Sequence, residues 1–323
     1  MQQGNVGVCL LLRRERHSDN VWRPLQLPSR PLDALGPESP LGHRLSHAAV
    51  AHRLRGRNLY WRWADRLAGP PRQGQLLLPS GLRIPLGCSD IAERRMYEGG
   101  YHQAERSLIA TLVGQGGTVL DVGANIGLIT AMCAGLVGEQ GHVHAFEPNP
   151  PIFERLRATV GASPQVTLHQ LALSDRPGTA GLLLEQSHHG ATGLQLAEPH
   201  DSTVNVSTVD EIVERERVGS VDLLKVDVEG NEERVLRGAD MLIQSRRIAH
   251  LLVEVHWDSR TSDWLESWLT TVDGDYRVFR VTYEPSSLGF RRVPRLVEGA
   301  WRSLGPSSFN LLVSRRDRLR TAR

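Results

Sequence analysis

Lysine is nearly absent from this chain. Of 38 Lys and Arg residues only Lys225 is lysine. So broad a bias reflects nucleotide composition, and the one position that keeps lysine against it is a functional candidate. Cysteine is scarce as well. Cys9, Cys88 and Cys133 make an odd set with no close pair, which argues against a disulfide framework or a zinc cluster and fits a reducing compartment. No apolar run approaches the ~20 residues of a membrane span. Val6 to Leu12 is apolar, but no basic segment precedes it and Arg13 and Arg14 follow, a poor pattern for a signal peptide; a cytoplasmic location is expected. The net charge of +2 does not favour nucleic acid or an acidic partner, although basic residues cluster near the N-terminus and in the last nine positions. What is present is ordinary: 40% hydrophobic and 23% charged residues over 323 positions, enough for a substantial core.

Residues 1–40 show little periodicity and are proline-rich from Pro24 to Pro40, which predicts an irregular arm. Residues 43–67 (HRLSHAAVAHRLRGRNLYWRWADRL) read as a basic helix broken near Gly56. It is expected to pack as a lead-in helix, the alternative being an amphipathic helix lying on a membrane or acidic surface. Residues 75–87 predict two short strands around a Ser80-Gly81 turn. A helical stretch, ERRMYEGGYHQAERSLIATLV, follows with a break at Gly99-Gly100. From Thr118 onward, strands are predicted at 118–122, 142–146, 166–171, 180–184, 221–226, 249–255, 276–281 and 309–313. Helices are predicted at 127–138, 150–160, 208–217, 231–244 and 260–272. Apolar strands alternating with helices predict an α/β fold with a mostly parallel, doubly wound sheet. The expected organisation is an N-terminal helical and irregular extension over 1–75, one α/β domain over 76–314 and a basic tail over 315–323.

The first motif, TVLDVGANIGLIT at Thr118 to Thr130, is a buried strand ending in Asp121, a turn with Gly123 and Gly127, and a helix start. Ligands of open parallel sheets bind outside the carboxyl ends of the strands, and glycine lets backbone approach a ligand closely. About 20 residues on, the next strand ends at Glu147, placed to accept hydrogen bonds from the hydroxyls of a ribose. The pattern is DxGxNxG, with Asn125 in the middle, rather than the GxGxxG that holds a pyrophosphate at a helix N-terminus. A carboxylate beside the turn repels a pyrophosphate but suits a ligand with an ammonium and a sulfonium. S-adenosylmethionine (SAM) has both, which makes NAD-dependent hydride transfer the weaker reading.

The second motif is the strand 221–226 running into Asp227, Glu229 and Gly230. Lys225, Asp227 and Glu229 share one parity and would line one surface in extended backbone. A buried lysine among Leu and Val needs a partner, so Lys225 and Asp227 are read as an ion pair that positions substrate or the SAM methyl. The alternative is that Lys225 only neutralises Asp227 while Glu229 and Glu232 favour the next helix. The strand LLVEVH ends at Glu254 and His256, and His256 is a candidate general base, with Asp227 competing for the role. Asp227, Glu229, Glu254 and His256 make no recognised ligand set, so no metal is expected. The polar stretch Glu185 to His200 is expected as a loop near the strand ends, with His188 and His189 solvated or touching substrate.

Taken together, VLDVGANIG at 119–127, AFEPNP at 145–150, LALSD at 171–175 and DLLKVDVEGNEERVLRGA at 222–239 resemble the FkbM-type SAM-dependent methyltransferases. The resemblance covers about 97–256 with a tail to Val313, while the first 75 residues match nothing in the family. It implies a Rossmann-like class I fold, SAM as methyl donor, and O-methylation of a small-molecule, natural-product or saccharide acceptor. Carried onto this chain, Asp121, Gly123, Asn125 and Gly127 would surround the amino acid part of SAM and Glu147 would bind the ribose. Ser174 and Asp175 would flank the adenine, with Asp175 on its amino group. N- or carboxyl-methylation and a catalytically silent SAM-binding protein remain the alternatives.

Overall fold

The computed structural model describes residues 12–14, 22–24, 73–78, 81–87, 90–97, 101–184, 192–195, 203–255, 261–272, 274–285, 292–299 and 309–318. The helix expected over 43–67, Cys9, Cys88, His188, His189 and the candidate base His256 lie outside the described residues. Two units divide the chain, Met1–Ala110 with Glu284–Val293 and Thr111–Tyr283 with Pro294–Arg323.

In the first unit β1 (Leu12–Arg14) pairs antiparallel with β2 (Trp22–Pro24). β3 (Gly74–Leu77) pairs antiparallel with β4 (Arg83–Leu86), the predicted two-stranded element, burying Leu76, Ile84 and Leu86. Helices α1 (Ile91–Tyr97) and α2 (Gln103–Leu112) fall on either side of the expected glycine break.

The second unit carries the repeated strand–helix pattern. Its elements are β5 (Thr118–Val122), α3 (Leu128–Val137), β6 (His142–Phe146), α4 (Pro150–Val160), β7 (Val166–His169), β8 (Ala172–Leu173), β9 (Gly178–Leu184), β10 (Thr192–Gln195) and β11 (Thr203–Ser207). There follow α5 (Val209–Arg215), β12 (Val221–Val226), α6 (Glu232–Arg237), α7 (Asp240–Gln244), β13 (Ile248–Val255), α8 (Thr261–Val272), β14 (Tyr276–Pro285), β15 (Arg292–Glu298) and β16 (Phe309–Arg315). The main sheet runs β7-β6-β5-β12-β13-β16-β14-β15. It is parallel from β7 to β13, and β16 joins antiparallel to both β13 and β14. This is a Rossmann-like, doubly wound fold. The strand order reverses between β5 and β12, the topological switch point at which such sheets bind ligands.

The central strands read as near-continuous apolar runs because both faces are covered. Leu120, Val122, Phe146, Leu224, Val226, Leu251 and Val253 share one core with α5, α6, α7 and α8. The alternate residues Val119, Asp121, Leu223 and Lys225 are buried on the opposite face, where α3 lies against β5 and β6. Local chemistry sets the helix starts: the Thr208 hydroxyl accepts from Glu211 N–H at 3.1 Å to cap α5, and Pro150 and Pro151 open α4. Among the described residues no helix is long and apolar enough to cross a membrane.

Three expectations change. The strand predicted at 180–184 belongs to β9 of a separate sheet, ordered β10-β9-β11-β8, whose three other strands fall in segments not predicted as strands. The residues of β11 alternate with period two, and its Val204 and Val206 pack on Ala172, Ala180 and Leu182 in a small core of their own. The single helix predicted over 231–244 is broken at Gly238-Ala239. A Cβ at Gly238 would meet the Ser174 carbonyl oxygen at 2.0 Å, so this close contact between segments sets the break. Asp210 then caps α7 from outside, its carboxylate accepting from Met241 N–H at 2.9 Å and Leu242 N–H at 3.0 Å. Finally, β15 adds an edge strand where none was predicted.

Three imidazoles are buried in the main sheet. His144 Nδ1 lies 3.1 Å from His169 Nε2, a bond that two neutral rings satisfy as donor and acceptor, and His250 Nδ1 lies 2.8 Å from Ser314 Oγ. Burial pushes all three down to about 4. Between pH 6.5 and 4 the unfolded chain therefore binds protons that the folded chain refuses, and stability falls as acid is added. Glu147, raised by burial to about 7, acts in the opposite direction and offsets about one histidine. The net expectation is a loss of about 4 kcal/mol from pH 7 to pH 5, or ~10 °C in Tm. Thermal unfolding followed by circular dichroism tests it; equal melting temperatures at the two pH values would contradict it.

Candidate active site

The chain's only lysine stands at the switch point. Lys225 on β12 is the register partner of Asp121 on β5. Its ammonium, 3% exposed as a residue, lies 3.1 Å from Asp227 Oδ2 and 3.7 Å from Asp121 Oδ1. Asp121 is wholly buried, and its Oδ2 accepts a hydrogen bond from the Thr130 hydroxyl at 2.6 Å. Asp227 retains 22% side-chain exposure. Two carboxylates thus flank one ammonium, a grouping of net charge −1 when all three are ionised, with its open end at Asp227. Excess negative charge at this position suits a cationic ligand and repels a pyrophosphate.

The turn after β5 is bent by Gly123 (φ 81°), Asn125 (φ 50°) and Gly127 (φ 93°). Sequence reasoning gave the glycines to ligand approach, whereas the structure gives them packing work. A Cβ on Gly123 would sit 1.8 Å from the Asp227 carbonyl oxygen, and one on Gly127 would sit 2.8 Å from Leu156 Cδ1. Gly123 thereby lets the β5 turn lie against the backbone that follows β12, a contact reinforced by Asp227 N–H donating to Val122 O at 3.1 Å. Replacing Gly123 with Ala should cost more than 3 kcal/mol, as both the left-handed backbone and a backbone clash oppose it. At Gly230 (φ 102°) a Cβ meets nothing within 4 Å, and Ala should cost only about 1–2 kcal/mol. Melting temperatures of the two variants check the contrast, and equal losses would contradict it.

Glu147 closes the other side. Its Oε2 accepts from Asn125 N–H at 3.1 Å and its Oε1 from Asn149 N–H at 2.9 Å. Burial raises its carboxyl to about 7, against the pull of those two hydrogen bonds and with a smaller push from Asp121. Two N–H donors leave lone pairs on both oxygens for a ligand's hydroxyls. Asn125 also closes on itself, its Oδ1 accepting from Ile126 N–H at 2.7 Å.

The structure thus brings Asp121, Gly123, Asn125, Gly127, Glu147, Lys225 and Asp227 to one end of β5, β6 and β12. Ser174 and Asp175 follow β8 of the smaller sheet: Ser174 is fully buried and donates to Asp175 Oδ1 at 3.0 Å, while Asp175 is exposed. Glu229 does not share the surface of Lys225, because its backbone is left-handed (φ 53°) and its side chain is exposed. Glu254 stands one residue beyond Val253, the register partner of Val226, and so lies beside the end of β12. Sequence reasoning missed Thr130, and it missed that Glu232 folds back to accept from Gly230 N–H at 2.9 Å, fixing the loop after Asp227. The signal for Thr130 is a hydroxyl in the otherwise apolar helix LITAMCAGLV, which must find a partner when buried. No cluster of three or more His, Cys, Asp or Glu that could hold a metal occurs among the described residues.

Comparison with known proteins bears on the family. Hexuronic acid methyltransferase AglP of Haloferax volcanii is 34% identical over 138 residues, 42% of this chain and 54% of AglP. The 31-O-demethyl-FK506 methyltransferase FkbM of Streptomyces tacrolimicus is 30% identical over 173 residues, 44% of this chain and 66% of that protein. The chain therefore spans between about half and two thirds of the length of these two relatives. Among solved structures, a SAM-dependent O-methyltransferase of Thermotoga maritima is similar at a TM-score of 0.37 and 15% identity, over 78% of this chain and 81% of that one, too low to bear on function. The family model described as the methyltransferase FkbM domain matches residues 121–288, just over half of the 323. It takes in every candidate site residue, from Asp121 to His256, and the chain belongs to the FkbM methyltransferase family.

Proposed function

We propose that this chain transfers a methyl group from SAM to a hydroxyl oxygen of a saccharide or natural-product acceptor. The observation that carries the reading is the Asp121–Lys225–Asp227 grouping at the switch point, beside a buried glutamate with free lone pairs. The residues fit SAM: Glu147 would hold the ribose hydroxyls, Gly123 and Asn125 the amino acid part, and Asp175 the adenine amino group. The net negative grouping suits the ligand's two cationic centres. When bound, SAM supplies a methyl carbon on a positively charged sulfur, open to attack by oxygen.

The chain's own part is alignment and proton handling. Lys225 orients Asp227 through their direct ion pair, and Asp227, the more exposed member, accepts the proton of the acceptor hydroxyl. The substrates in the relatives' names, a hexuronic acid and 31-O-demethyl-FK506, make hydroxyl-bearing acceptors the first to try.

The test offers methyl-labelled SAM with uronic acid oligosaccharides and hydroxylated polyketides, alongside amines and simple carboxylates. The expected product is a methyl ether, stable to mild base where a methyl ester is not. At saturating SAM, Asp227→Asn should still slow transfer about 100-fold or more. Label on amines, or only in base-labile esters, would overturn the O-methylation reading. SAM binding with no transfer to any acceptor would favour a catalytically silent SAM-binding protein.

A further inference from the structure

Asp121 is the acid of the glycine-turn motif, yet it offers the ligand no surface. It is wholly buried, with the Thr130 hydroxyl 2.6 Å from one oxygen and the Lys225 ammonium 3.7 Å from the other. Thr130 is itself 0% exposed on α3, so a helix, strand β5 and strand β12 meet in one hydrogen-bonded and ionic line. Only the far end of that line, Asp227, reaches the surface.

We propose that Thr130 and Asp121 are positioning residues that act through Lys225, and that Asp227, not Asp121, presents the carboxylate facing the bound ligands. The physical argument is one of orientation. Thr130 uses its hydroxyl proton on Asp121 Oδ2, which fixes the rotation of that carboxylate and turns Oδ1 toward β12. The ammonium of Lys225, a flexible four-carbon stem ending in a point charge, is then drawn between two carboxylates and held against Asp227 Oδ2. Asp227 is anchored at its own backbone, where its N–H donates to Val122 O at 3.1 Å and its carbonyl closes on Gly123. Its exposed carboxylate is thereby fixed at both ends. This inference rests on reading the site as one for SAM, and it moves the direct contact with the ligand's cationic part from Asp121 to Asp227.

The chain's single lysine makes the line observable. A chain carrying 13C at the lysine ε-carbon, and no lysine from a tag, gives one resonance, that of Lys225. Expected is a displaced resonance in Thr130→Val and in Asp227→Asn, with Thr130→Val melting within a few degrees of wild type. A merely structural hydroxyl would lower the melting temperature and leave the lysine signal in place. The second readout compares S-adenosylhomocysteine with 5′-methylthioadenosine, which lacks the amino acid part, by titration calorimetry. Asp121→Asn is expected to weaken both by the same factor, within about twofold, whereas Asp227→Asn weakens only S-adenosylhomocysteine. An unmoved lysine signal in Thr130→Val overturns the proposal. So does a loss confined to S-adenosylhomocysteine in Asp121→Asn, which would place Asp121 against the amino acid part. If Asp121→Asn does not fold, the Thr130→Val spectrum decides. Failure of the wild type to bind either nucleoside would sink the SAM reading alone, because the lysine spectrum tests the line without any ligand.

Discussion

Replacing Glu147 with Ala should weaken S-adenosylhomocysteine binding by 100-fold or more, and wild-type binding should itself depend on pH. Burial holds the Glu147 carboxyl at about 7 in the free protein. A ribose diol donating to the ionised form lowers that value on binding, so complex formation releases a proton. Affinity should therefore rise about tenfold per pH unit up to about pH 7 and level off above it. The raised value corresponds to about 3 kcal/mol of unfavourable burial in the charged form, which donors from the ligand recover in part. Glu147→Gln should bind weakly and without this pH dependence. Calorimetry at pH 6, 7 and 8, repeated in buffers of different ionisation heat, counts the proton directly. PH-independent binding to the wild type would mean that Glu147 does not meet the ribose.

The second large effect is expected at Lys225. Replacement by Met keeps the stem and removes the ammonium that stands between Asp121, 0% exposed, and Asp227. Breaking a buried pair from one side typically costs about 3–5 kcal/mol, because a carboxylate stays behind in a low-dielectric interior. Removing both members costs less, so Lys225→Met combined with Asp121→Asn should be more stable than Lys225→Met alone. Arg should not rescue the site, since its planar fork cannot occupy the place of a compact ammonium. Denaturant unfolding of the three variants checks this order, and a Lys225→Met protein as stable as wild type would contradict it.

Much of this was legible because it is written locally. The glycine turn after β5, Glu147 at the end of β6 and the alternating strands and helices each depend on neighbours within a few residues. The Lys225–Asp227 pair was legible for the same reason, the two residues being two apart in one strand end. What the sequence could not state is which strands lie side by side. Asp121 and Lys225 are 104 positions apart and become partners only through register, so the pairing of the motif's acid with the lysine was out of the sequence's reach. The break at Gly238 follows from the Ser174 carbonyl 64 positions earlier, and a helical pattern hides it. Glu229 was misread because period-two parity holds only in extended backbone, and the chain leaves that conformation at φ 53°.

The central claim is that the switch point between β5 and β12 is a SAM site and not a dinucleotide site. Titration of the wild-type chain with SAM, S-adenosylhomocysteine and NAD under one set of conditions tests it most directly. Micromolar binding of the first two and none of NAD is the predicted result. Binding of NAD in place of SAM, or of none of the three, would contradict the account.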